Sequence, residues 1–521
     1  MNKVKQYAVF EISLESDRDY DNPFADESCQ AVFTGPDGTE AMLSGFHDGD
    51  RCWKARFVPE TQGAWTYTAR LETAGIETKG ELECVLSDQH GFLVISAQNP
   101  YRFEHKDGTP FYPIGQQVGA GVSPAPGFDA PEGAEEWTAT DRETFMQAFT
   151  GATNLIRSQF GCGIKAGCSM PVNTEETGPD RYDLENSRWI DDSCRAIKQY
   201  GWAQIGILFQ DMSLHGEYET LFGTVRDTTT YKTMQSPHLP AMEQYIRYAV
   251  ARWSAYIDIW EIYNEDSYAP DDLLAHFAGI IREADPYRHP ITTNYERPEQ
   301  DWCEIVCPHA YMVCEARQVP AYLSMQFARQ KSYGKPVQYT EFGNKVQLSN
   351  YDPDKWRLAA WVSFMHESGM LYWNMSGRKT IPNPDSMSNS NAYLGPETRQ
   401  GLRALQEFSA GLPLSLRPRQ IFNVHRTPLE AWALGDGNLT VLYAHNPVDH
   451  TKPTKPTMLM IRTGPGDFNI QWTDPATGET VGSQDVSCEQ QIMHLDIPSF
   501  TIDLAGRIES RPSAGGRKSK V

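Results

Sequence analysis

Basic charge is scarce in this chain. Forty-six Lys and Arg stand against 68 Asp and Glu, a net charge of −22. Phosphate backbones and anionic bilayers are held by basic surfaces, so nucleic acid is excluded as the main partner and docking on an anionic membrane is disfavoured. The acidity favours solubility and names no partner. Long apolar runs are missing too. No stretch is long enough to span a bilayer, and Met1-Asn2-Lys3-Val4-Lys5-Gln6-Tyr7 lacks the apolar centre of a signal peptide, so a cytoplasmic location is expected. None of the ten cysteines forms a CxxC pair. Cys303, Cys307 and Cys314 lie close to His309, but their spacing does not match a structural zinc site, and free buried thiols are expected instead. There is no internal repeat. The one low-complexity stretch is the basic tail Arg511-Pro512-Ser513-Ala514-Gly515-Gly516-Arg517-Lys518-Ser519-Lys520, and disorder is expected over 508–521.

What is present is a long chain of ordinary globular composition. Its 521 residues predict two to four domains, with 40% hydrophobic and 22% charged residues. Thirteen Trp and 24 Tyr are generous; aromatics stack on sugars, although building cores is their commoner use. The texture changes twice. Residues 1–92 read as all-β, with alternation in Trp53-Lys54-Ala55-Arg56-Phe57-Val58 and Ala64-Trp65-Thr66-Tyr67-Thr68-Ala69, and predict a β-sandwich. Residues 93–415 alternate short apolar runs with amphipathic stretches. Eight strand candidates stand near 111–115, 154–157, 205–209, 257–260, 291–294, 305–307, 336–339 and 370–373, which predicts a (β/α)8 TIM barrel. A doubly wound sheet is the alternative, but a nucleotide-binding one would carry a glycine-rich turn after its first strand, and none is there. Residues 416–507 return to β texture, in Leu439-Thr440-Val441-Leu442-Tyr443 and Phe468-Asn469-Ile470-Gln471-Trp472, and predict a second sandwich.

A barrel of this kind works at the C-terminal ends of its strands. The residues that close the eight runs are, in order, Gln116 and Gln117; Arg157 and Ser158; Gln210 and Asp211; Asn264, Glu265 and Asp266; Asn294 and Tyr295; His309 and Tyr311; Glu341; and Trp373 and Asn374. Nearly every strand delivers a hydrogen-bonding or aromatic group to one mouth, which suits a ligand with many hydroxyls and an apolar ring face. Two of these residues are carboxylates at the tips of apolar runs, Glu265 and Glu341, and a pair of carboxylates is the machinery of glycosidic bond cleavage. Glu261 is expected to point away from the site by strand alternation. The bland readings have weight. Glu265 suits the start of a helix, Arg157 a structural ion pair, His309 a satisfied core histidine, Trp373 barrel packing, and Gln210, Asp211 and His215 a loop surface.

Asn264-Glu265 ending the fourth strand, with Glu341 ending the seventh, resembles the retaining glycoside hydrolases of clan A, the 4/7 superfamily. Arg157 stands where that clan has a strand-2 arginine, His309-Ala310-Tyr311 matches its strand-6 His-x-Tyr, and Trp373 matches its strand-8 tryptophan. Phe103-Glu104-His105-Lys106-Asp107-Gly108-Thr109-Pro110-Phe111 resembles the start of apiosidase-like barrels. Gly45-Phe46-His47-Asp48-Gly49 resembles the sandwich that precedes many glycosidase barrels, and Trp472-Thr473-Asp474-Pro475-Ala476-Thr477-Gly478 the sandwich that follows them. The end of strand 1 and the long loop after strand 3 depart from the pattern, which leaves the substrate open. The resemblance implies that Glu341 is a nucleophile kept ionised by Arg157 and Tyr311. Glu265 would be the acid/base with a raised pKa, and Asn264 a ligand of the sugar 2-hydroxyl. No metal or organic cofactor is expected. The expected substrate is a small, preferentially β-linked glycoside or oligosaccharide. Oligomeric state, a homo-oligomer included, is left open. A non-catalytic carbohydrate-binding protein with a degenerate barrel is the alternative.

Overall fold

The computed structural model describes residues 2–118, 138–160, 177, 180–210, 219–220, 223–224, 233–265, 269–311, 314–343, 352–373, 393–425 and 427–511. Its centre is an eight-stranded parallel sheet. In chain order the strands are β1 (Ile114–Val118), β2 (Leu155–Gln159), β3 (Ala203–Gln210), β4 (Ile259–Asn264), β5 (Ile291–Thr292), β6 (His309–Tyr311), β7 (Gln338–Gly343) and β8 (Gly369–Tyr372). The order across the sheet is β5-β4-β3-β2-β1-β8-β7-β6, so β1 pairs with both β2 and β8. The connections carry helices α1 (Ala139–Ala148), α2 (Leu184–Gln199), α3 (Leu239–Trp253), α4 (Asp271–Ala284), α5 (Val319–Gln330), α6 (Pro353–Met365) and α7 (Pro396–Ser409). Between β5 and β6, residues 293–304 form turns and no helix.

The helices begin and face inward for local reasons. Asp183 caps α2 by accepting from the Asn186 N–H, and Ile190, Cys194 and Ile197 then fall on one buried stripe. Asp352 caps α6 in the same way, with Pro353 at the first helical position. The strands read as near-continuous apolar runs because both faces are covered.

The sheet is curled. β2 and β7 are three places apart in strand order, about 14 Å in a flat sheet. Yet Arg157 on β2 reaches Glu341 on β7 at 2.8 Å. The two end strands are drawn towards each other by Glu304 N–H to Ile291 O at 2.8 Å, Thr292 Oγ1 to Ile305 O at 2.8 Å and Asn294 Nδ2 to Cys307 O at 2.6 Å. Inside the curl, Leu155, Ile205, Ile259, Ile305 and Leu371 form an apolar layer with Phe103 and Phe111 beneath it.

Three boundaries differ from the sequence reading. Pro110–Phe111 belongs to a separate three-stranded sheet with Leu93–Ile95 and Phe103–His105. β1 therefore starts later, and Gln116 and Gln117 lie within it. The ladder of β6 starts at His309, and only Val306 of the 305–307 run forms a bridge, with Val337. The final strand, Asp503–Ser510, extends into the stretch read as tail.

Before the curled sheet, a five-stranded and a three-stranded sheet within residues 2–85 share a core that includes Ile12, Phe33, Trp53, Phe57, Trp65 and Leu82. After it, a six-stranded and a three-stranded sheet within 417–510 enclose Leu442, Leu459, Ile470, Trp472 and Leu495. Eight cysteines are free, six of them buried; Cys162 and Cys168 lie outside the described residues. Among the described residues no helix is long and apolar enough to cross a membrane.

Candidate functional site

Strands β1, β4 and β7 bring four polar side chains onto Arg157 of β2, and β6 adds His309 and Tyr311 beside them. The Arg157 guanidinium is completely buried. Nε and Nη2 bond the two oxygens of Glu261 at 2.7 and 2.5 Å, and Nη2 also reaches Asn264 Oδ1 at 2.5 Å. Nη1 bonds Gln117 Oε1 at 2.9 Å and Glu341 Oε1 at 2.8 Å. The other oxygen of Glu341 accepts a bond from the Tyr311 hydroxyl. His309 is the direct ladder partner of Glu341. Its Nδ1 lies 3.0 Å from Glu265 Oε1 and 3.6 Å from Glu341 Oε2. One ring nitrogen thus stands between the two carboxylates, and the nearest atoms of Glu265, His309 and Glu341 all lie within 4.8 Å of one another. That is close enough for one cation to touch all three, although the His309–Glu265 hydrogen bond accounts for the approach without one.

Glu265 follows β4 in the left-handed region, with φ of 55°. Its backbone N–H is held by Asn294 Oδ1 at 3.2 Å, while Asn294 Nδ2 donates to Cys307 O. The sequence offers Asn294 as a residue that binds substrate or supports the site. Both ends of its amide are taken up between the residue after β4 and the segment leading into β6, because a fully buried amide must satisfy both ends.

Glu341 carries a correction. Its carboxyl is raised above the ordinary range, not depressed. Burial is the main cause and the charge of Glu265 adds to it; His309 and Arg157 pull the other way and do not prevail. The geometry explains the weakness of Arg157, whose charge is matched by its double bond to Glu261. Glu261 is the residue that sequence reasoning wrongly set aside. Four residues from Glu265, it has the same parity by the two-residue strand period, and it is fully buried inside the curl with Ile259. That even spacing was the signal that could have found it.

The remaining candidates divide. Gln117 is buried, and its Nε2 has no partner among the described residues, which leaves it a donor within the cluster. Gln116 turns to Thr153 and takes no part. Trp373 follows β8 beside β7, its backbone N–H bonded to Phe342 O at 2.9 Å. Tyr295 is 38% exposed and lines a 440 Å³ cavity with Pro308, His309, Arg329 and Tyr333. The cavity lies beside the helix-free connection. Gln210 closes β3, but its side chain, like Asp211, His215, Asp266 and Asn374, lies outside the described residues.

Residues 3–72 match a family defined as a domain of unknown function, DUF5060. No curated protein matches the chain in sequence. Solved structures do resemble it. A Bacteroides vulgatus protein assigned provisionally to the glycoside hydrolases superposes with a TM-score of 0.68 at 16% identity, over 98% of this chain and 100% of its own. A glycoside hydrolase family 5 protein of the same organism gives 0.57 at 13% identity, over 81% of this chain and 94% of its own. A further glycoside hydrolase gives 0.55 at 14% identity, over 81% and 97%. At these identities the likeness establishes a shared fold.

Proposed function

We propose that this chain is a retaining glycoside hydrolase acting on small glycosides or oligosaccharides, with a preference for β-linkages. Its curled sheet would be a (β/α)8 barrel closed between β5 and β6, spanning residues 93–415. β-Sandwich units over 1–92 and 416–507 would flank it, the layout of the apiosidase-like members of clan A. One observation carries the reading: an oxygen of Glu265 and an oxygen of Glu341 lie within 4.8 Å of each other at the C-terminal edge of a parallel sheet, with His309 between them. Inverting enzymes hold their carboxyls about 6.5–9.5 Å apart to admit a water, and retaining enzymes about 5–5.5 Å. The fold shared with glycoside hydrolases supports the same reading.

In the first step a Glu341 oxygen attacks the anomeric carbon as the glycosidic C–O bond breaks, and Glu265 gives its proton to the leaving oxygen. In the second, Glu265 takes a proton from water, the water oxygen attacks the anomeric carbon, and Glu341 is released. Arg157 and Tyr311 aim Glu341. Asn264, its Oδ1 held by Arg157, keeps Nδ2 as a donor for the sugar 2-hydroxyl. Gln117 Nε2 is a second donor, and Trp373 would floor the sugar.

A panel of aryl glycosides, with product configuration followed by NMR, tests the reaction. Retention is expected, and net inversion would overturn the assignment. Glu341→Ala and Glu341→Gly should lose at least about 10³-fold in kcat, part of it restored by azide or formate standing in for the missing nucleophile. A sugar-binding protein without catalysis would keep its affinity in both variants and show no turnover in the parent. Loss of activity on chelation would point instead to a cation held by Glu265, His309 and Glu341.

A further inference from the structure

Arg157 has five N–H donors, and five bonds account for them: two to Glu261, one each to Asn264, Gln117 and Glu341. The guanidinium therefore has no rotational freedom left and no donor to spare. Two carboxylates compete for its charge. Glu261 takes both prongs of the fork, the stronger geometry for an arginine–carboxylate pair. Glu341 receives one bond from the same cation.

We propose that Glu261 is a positioning residue: it locks Arg157 in the orientation that aims Glu341, and it takes up most of the charge that Arg157 would otherwise lend to Glu341. The inference rests on the reading of Glu341 as the nucleophile. Among the described residues, the ionisable groups around Glu341 and its partner Arg157 come from several elements. They are Arg157 from β2, Glu261 and Glu265 from β4, His309 and Tyr311 from β6, and Cys307 just before β6. The Cys307 thiol is kept neutral by burial and by Glu261. One permanent cation is set against three carboxylates, in keeping with the upward displacement of the Glu341 carboxyl. Without Glu261 the full charge of Arg157 would fall on Glu341 and make it an anion at lower pH. Such a carboxylate would be a weaker base and a poorer nucleophile. On this account Glu261 sets the acid limit of the site at higher pH than Arg157 alone would, without touching the sugar.

The test uses the whole chain, with an aryl glycoside it hydrolyses and kcat/KM measured against pH. The acid limb of that profile reports the group that must be ionised in the free enzyme. Glu261→Gln should move this limb to lower pH by about one unit or more, since an opposite charge close by favours the ionised form. Arg157→Gln should move it to higher pH. The double variant Arg157→Gln/Glu261→Gln removes one charge of each sign and should fall close to the parent. It also keeps the test alive if Glu261→Gln alone does not fold, because the double variant must then lie at least one unit below Arg157→Gln. A merely structural role for Glu261 would lower kcat and leave the limb in place, and that result would overturn the proposal. So would a double variant indistinguishable from Arg157→Gln. A ¹³C-carboxyl titration of Glu341 by NMR reads the same shift without turnover. A parent with no glycosidase activity but a shifted Glu341 titration would separate failure of the functional reading from failure of this one.

Discussion

At the scale of single residues the site is governed by how few positive charges serve its carboxylates. Arg157 satisfies Glu261 first and Glu341 second, so burial decides the Glu341 carboxyl and raises it. The consequence for stability has a definite sign. A carboxyl whose folded pKa lies above its unfolded value of about 4.3 is at no disadvantage when protonated. It destabilises the fold progressively as pH rises towards the folded value. Glu341→Gln keeps the shape and removes the ionisation. Its melting temperature should therefore exceed the parent's at neutral pH, with the gap closing as pH falls below about 4, where both side chains are neutral. A gap that stayed constant with pH would show that burial of this charge is not the cause.

At the scale of elements, the strand tips set distances that side chains alone cannot. β7 runs so close to the end of β8 that a Cβ on Gly343 would meet the Trp373 carbonyl oxygen at 2.3 Å. That contact is backbone and cannot swing aside. Gly343→Ala should therefore cost about 1–3 kcal/mol by overpacking, seen in chemical denaturation. Measured well below the melting temperature, its activity should fall by a larger factor than the folded fraction, because Glu341 lies two residues away on the displaced strand. Activity loss that merely tracked unfolding would separate the strand position from the chemistry. Asn294 joins the residue after β4 to Cys307, just ahead of β6, through both ends of its amide. The left-handed Glu265, just past the end of β4, has its backbone N–H held by this brace.

At the scale of the whole molecule, buried ion clusters join the flanking sheets to the curled one. Asp191 on α2 takes paired bonds from Arg56 of the N-terminal sheets and from Arg252 on α3, and Arg252 reaches back to Asp48 at 2.8 Å. At the other end, Arg357 on α6 pairs with Asp503, and Trp361 stacks on Tyr443. Asp191 is pulled down to about 2 by Arg56 and Arg252 against the cost of burial. A folded pKa this far below the usual value stabilises the fold above about pH 4, and that contribution is lost as pH falls towards 2. Asp191→Asn strands two buried arginines and should cost about 3–5 kcal/mol at neutral pH. It should also flatten the acid limb of the stability profile between pH 4 and 2. An unchanged acid limb would move the source of that stability elsewhere.

Much of this was legible in the amino-acid order. Apolar periodicity marked strands and helices, because burial on one face or two leaves its imprint on local sequence whatever the neighbours are. Polar residues closing apolar runs marked Arg157, Asn264, Glu265, His309, Tyr311 and Glu341, since a charged group at a strand tip is costly unless a partner meets it there. The partners themselves were not legible. Which carboxylate Arg157 would pair with depended on the curl that brings β2, β4 and β7 into reach of one side chain. Which way Glu261 faced was fixed by period two, but what it met there was fixed only by strands up to 104 residues away. Asn294 became a brace because the segment leading into β6 passes beside it. Periodicity is a property of neighbours along the chain. Charge balance belongs to neighbours in space, and only the folded sheet chooses those.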